Sequence, residues 1–144
     1  QKISRILAIG SSMGAFAALR AAQTLPLTAV LAISPQCQPA AKWEPRWRDW
    51  THAVPETLTA PLPQGPYLCL MHGLQDDAAQ ATLFPPQKGC DHVMFADQTH
   101  ATLAPHLKVR GLVEGLIDAA LSQDRRRLLR ILQGAGGKRR QLPR

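Results

Sequence analysis

Acidic side chains, aromatics and cysteines are all scarce in this 144-residue chain, and each shortage excludes something. Three cysteines, Cys37, Cys69 and Cys90, are odd in number and scattered. With no metal-type pair spacing, they fit reduced structural thiols in a cytoplasmic setting better than a disulfide framework. No apolar run approaches the ~18 residues of a spanning helix, and no charged segment followed by a long apolar stretch opens the chain. Aromatics make up 5% of the residues, and none is interleaved with the arginines near the end, so nucleic-acid binding is not expected.

Acidic residues number 10 against 17 Lys and Arg, giving a net charge of +7. That excess belongs to the last 23 residues, which hold eight basic side chains and one acid, Asp124. Residues 1–121 are neutral. The charge therefore describes a basic helical or disordered tail over 122–144 rather than the binding preference of the body.

What is present begins with Arg5-Ile6-Leu7-Ala8-Ile9-Gly10-Ser11-Ser12-Met13-Gly14, followed by an alanine-rich segment. An apolar strand, a turn of small residues and a helix spell Gly-x-Ser-x-Gly with Ser12 at the apex, the pattern of a nucleophile elbow. Such a turn strains the central residue and lifts its hydroxyl out of the sheet. The N–H of Met13, at the start of the helix, has no intrahelical acceptor and can face a developing oxyanion. The turn lacks the Gly-x-Gly-x-x-Gly spacing and the phosphate-loop lysine of nucleotide sites.

A helix over Ala15 to Gln23 and a strand over Thr28 to Ile33 complete a βαβ unit, which implies a parallel sheet. Residues 36–66 then carry Pro39, Pro45, Pro55, Pro61, Pro63 and Pro66 together with Trp43, Trp47 and Trp50. This is a lid-like insertion whose tryptophans, at spacings of four and three, can share one face of a helical turn. Strands follow at Tyr67 to Gly73 and His92 to Ala96, with a short helix through Ala78 to Leu83 between them. One amphipathic helix is expected over Leu103 to Leu121. The opening strand, apolar on both faces, calls for neighbours on both sides, so the chain reads as the C-terminal part of something longer.

A serine needs a base, and the base a partner that orients it. Asp76 follows the third strand and His100 the fourth, and in a parallel sheet both loops emerge at the edge that carries Ser12. Asp77 is the rival to Asp76, which lies three residues after Gly73. His72, at a strand end, is either a satisfied structural histidine or a pocket wall. His92 opens its strand and His106 lies on a helix.

The segments "LAIGSSMGAFAAL", "LCLMHGLQDD" and "VMFADQTHATLAPHL" resemble the C-terminal half of an α/β-hydrolase across residues 3–121. The resemblance implies a three-layer αβα fold with a parallel sheet of about four strands. It further implies Ser12 as nucleophile, Asp76 as acid, His100 as base and Met13 as one oxyanion donor. Ser11, Gln36, Trp43, Trp47 and His72 are candidates for the substrate pocket. The expected activity is cofactor-free and metal-free hydrolysis of an ester or thioester, with a small acyl compound as the partner and no reading of oligomeric state. In the family, an earlier loop gives a second oxyanion donor, so reduced activity is expected of these residues alone. The competing reading is a catalytically inactive hydrolase-like binding or assembly protein that uses its basic C-terminal segment as the contact.

Overall fold

A computed structural model describes residues 2–49 and 62–141. Five strands form one sheet in chain order: β1 (Leu7–Ser11), β2 (Ala29–Ile33), β3 (Tyr67–Gly73), β4 (Cys90–Phe95) and β5 (Lys138–Arg139). The first four are parallel, and the short β5 pairs antiparallel with β4. The helices are α1 (Met13–Ala21), α2 (Ala78–Leu83), α3 (Leu103–Val109), α4 (Val113–Leu121) and α5 (Arg125–Gly134).

Strand alternation divides the core into two layers. Leu31, Ile33, Cys69, Met71, Val93 and Phe95 point to the face covered by α3, α4 and α5. Val30, Ala32, Leu68 and Leu70 point to the opposite face, where Phe16 and Leu19 of α1 pack with Phe84 and Leu62. Every residue of β2 is buried, as befits a strand between two parallel neighbours with both faces covered. The three-layer α/β architecture follows.

Two expectations are corrected. The helix foreseen over Leu103 to Leu121 is two helices, because Gly111 adopts φ +67 and turns the chain between α3 and α4. The segment after Ser122, expected as a basic helical or disordered tail, is helical over Arg125–Gly134 but packs into the body: Leu128 and Leu132 of α5 are fully buried in the larger core layer, and β5 adds a fifth strand. Separately, β1 pairs with β2 alone among the described residues, leaving Ile3, Ile6 and Ile9 exposed by 78%, 40% and 43% beside an open edge.

None of the three cysteines is joined in a disulfide among the described residues. Burial pushes Cys37 up to about 11 and Cys90 up to about 12, and raises Cys69 as well, which suppresses thiolate chemistry at each. No helix among the described residues is long and apolar enough to cross a membrane.

Candidate active site

Four loops leave the carboxyl ends of β1 to β4 and meet above the sheet. Ser12 occupies the first, with φ 56 and ψ −123, a conformation that L-residues seldom adopt. Its N–H donates to Ile33 O at 2.8 Å, which fixes the turn against β2. A Cβ on Gly10 would lie 2.3 Å from the backbone C and O of Gly14, so only glycine lets strand and helix close on each other here. Met13 begins α1, and its N–H lies in the first turn, where no intrahelical acceptor exists.

The loops after β3 and β4 are bonded to each other. Leu74 N–H donates to Phe95 O at 2.9 Å and Gln75 N–H to Gln98 O at 3.1 Å. Gly73 permits that approach, because a Cβ there would meet Gln98 O at 2.5 Å. Held in this way, the His100 ring bridges two loops: Nε2 lies 2.8 Å from Ser12 Oγ, and Nδ1 lies 2.7 Å from Asp77 Oδ2.

The ring partner is therefore Asp77 and not Asp76. Asp77 N–H bonds Gly73 O at 3.2 Å, and the residue caps α2 with its side chain turned inward and fully buried. Asp76 points outward with its side chain 41% exposed, and its Oδ1 accepts the backbone N–H of His100 at 2.6 Å. One carboxylate grips the ring, while its neighbour grips the main chain of the loop. Burial opposes ionisation of Asp77, but hydrogen bonds and charge from His100 and Arg46 outweigh it and hold the carboxyl below its usual range.

The described part of the insertion lies against this row. Gln36 is buried, with Nε2 at 3.2 Å from His100 Nδ1 and Oε1 accepting from Trp47 Nε1 at 2.8 Å. The Trp47 ring sits 4.7 Å from the His100 ring, centroid to centroid. Pro45–Trp47 is a single 3₁₀ turn. Trp43 is 48% exposed, so the shared helical face expected for the tryptophans is not seen for this pair, and Trp50 lies outside the described residues. Ser11 ends β1 opposite Ile33, exposed at the rim. Ser34, buried with φ 49, adds a hydroxyl at 3.5 Å from His100 O. Sequence reasoning missed Arg46, Glu44 and Ser34, since no motif marks a side chain that supports the site from an irregular segment.

His72 and His92 form a buried pair beneath the site, so His92 does more than open its strand. His72 Nε2 donates to Pro35 O at 2.8 Å, which leaves Nδ1 as the acceptor for His92 Nε2–H at 2.7 Å. Burial drives His72 down to about 4 and His92 down to about 2, so both rings are neutral in the fold. Unfolded, both protonate near pH 6.5. Their contribution to stability is thus complete above that value and is lost as pH falls toward 4 and below. Each costs up to about 1.4 kcal/mol per pH unit within its window. The urea midpoint is expected to drop steadily from pH 7 to pH 5, and more shallowly in His92→Gln.

His106 packs at the end of α5, its Nε2 2.9 Å from Ala135 O, away from the serine. Among the described residues no group of three or more His, Cys, Asp or Glu is placed to hold a metal ion. Set beside family models, curated proteins and solved structures, the chain matches none of them.

Proposed function

We propose that the chain is a serine hydrolase of the α/β-hydrolase type that cleaves a carboxylic ester or thioester through an acyl-enzyme. The observation that carries this reading is the continuous row Ser12 Oγ, His100 and Asp77, with links of 2.8 and 2.7 Å behind a strained serine. The neutral His100 Nε2 removes the hydroxyl proton as Oγ attacks the carbonyl carbon. Asp77 accepts from Nδ1–H, fixes the tautomer and stabilises the imidazolium. Met13 N–H donates to the tetrahedral oxyanion. The imidazolium returns its proton to the departing alkoxide or thiolate; water, deprotonated by the same ring, then releases the acid and restores Ser12.

The test is a fluorophosphonate probe with the adduct mapped by peptide mass spectrometry. A single adduct on Ser12, abolished in His100→Ala, supports an activated serine. No adduct on the folded protein overturns the hydrolase reading and favours a binding role for the same scaffold.

A further inference from the structure

We infer that Arg46, on the insertion, is a positioning residue that clamps the carboxylate of Asp77 in register with His100 and latches the insertion onto the catalytic row. The inference rests on the hydrolase reading and goes beyond it by giving the insertion a part in the chemistry. Arg46 Nη2 donates to Asp77 Oδ1 at 2.9 Å, the oxygen that His100 leaves unoccupied. The same guanidinium makes a two-point pair with Glu44, Nε to Oε1 at 2.8 Å and Nη2 to Oε2 at 2.7 Å. Glu44 is only 3% exposed and is further held by Gln80 Nε2 at 3.2 Å, and Gln80 Oε1 takes the N–H groups of Cys37 and Gln38. The insertion is thus fastened to α2, and through Arg46 to the acid that α2 presents.

With one oxygen bound to Arg46 and the other to His100, the Asp77 carboxylate has little freedom to rotate. A planar fork suits this task, whereas an ammonium cannot span two carboxylates in the same way. Trp47, the next residue, then rests on the His100 ring, and the Arg46 guanidinium lies 5.4 Å above the indole. Displacing this segment would therefore release the acid and uncover the base in one movement.

The charged and titratable groups around Asp77 are Arg46, Glu44, Asp76, His100 and the buried His72, with Arg140 acting on His72 from beyond it. Arg46 is the cation that contacts all three of these carboxylates. Removing it strengthens the attraction of Asp77 for the imidazolium and makes Asp77 easier to protonate. Both effects move the acidic limb of the rate profile to higher pH.

The experiment compares wild type, Arg46→Lys, Arg46→Met and the charge-balanced Glu44→Gln/Arg46→Met. It measures kcat/KM against pH on a p-nitrophenyl ester and the ¹³C titration of the Asp77 carboxyl. The expected result for both Met variants is a fall in kcat/KM of about ten- to a hundredfold. The Asp77 titration should rise by about one unit or more, and the acidic limb should move the same way. Lysine should restore the limb more fully than the rate. An Asp77 titration and acidic limb that stay at their wild-type positions in the double variant overturn the inference. Failure of wild-type Ser12 to take the fluorophosphonate overturns the hydrolase reading instead, and the carboxyl titration distinguishes the two because it needs no turnover.

Discussion

Asp77→Asn is expected to lower kcat by about 10³- to 10⁴-fold, while Asp76→Asn lowers it by less than about tenfold. The two carboxylates are adjacent in sequence and do different work. Asp77 Oδ2 receives the ring N–H of His100, and an amide in its place can offer its own N–H to Nδ1, which selects the tautomer that cannot accept the serine proton. Asp76 accepts the main-chain N–H of the same histidine and pairs more loosely with Arg46 at 3.6 Å, and its side chain is 41% exposed, so water can replace much of what is lost. Steady-state rates on an ester, corrected for reactive serine by fluorophosphonate titration, check the ordering. Equal losses in the two variants would contradict it.

Asp91→Ala is expected to cost about 3 kcal/mol of stability, read as a lower urea midpoint with an unchanged slope. The Asp91 carboxylate, 1% exposed at the start of β4, accepts two bonds from Arg125 at 2.5 and 2.9 Å. It also pairs with Arg139 Nε at 2.6 Å and accepts from the Tyr67 hydroxyl at 2.9 Å. One buried anion thereby fastens α5 and β5 to the sheet. Burial works against its charge, yet the hydrogen bonds from Arg125 and Tyr67 prevail and keep the carboxyl below its ordinary range. Without it, two guanidiniums face each other and the phenol loses its acceptor. The loss stays near the low end for a broken buried pair because Arg125 and Arg139 are 49% and 44% exposed and can rehydrate. Arg125→Met, which leaves Arg139 on the carboxylate, is expected to cost less.

The contrast between these sites explains what could be read from sequence. Strand β3 at Tyr67–Gly73 and helix α2 at Ala78–Leu83 were legible because apolar runs and their breakers mark them locally. Ser12 and His100 were legible because a parallel sheet delivers every β-to-α loop to one edge, whatever its sequence. The choice between Asp76 and Asp77 was not, since it depends on the dihedral angles of a turn fixed by the Asp77 N–H on Gly73 O. Arg46 was invisible for a similar reason: its partner on the row, Asp77, lies 31 residues away and no periodicity connects the two. The C-terminal run misled because the four arginines of α5 draw attention, while Leu128 and Leu132, one helical turn apart, decide where the helix lies.

Strand order equal to chain order has a consequence for how the molecule comes into being. As the polypeptide is made from its amino end, each described strand from β2 onward emerges beside a neighbour that already exists. The row of Ser12, His100 and Asp77 does not share this economy. Ser12 and His100 are 88 residues apart, with Asp77 arriving between them. The Ser12 hydroxyl therefore meets its imidazole only after β4 and the loop that carries His100 have been made.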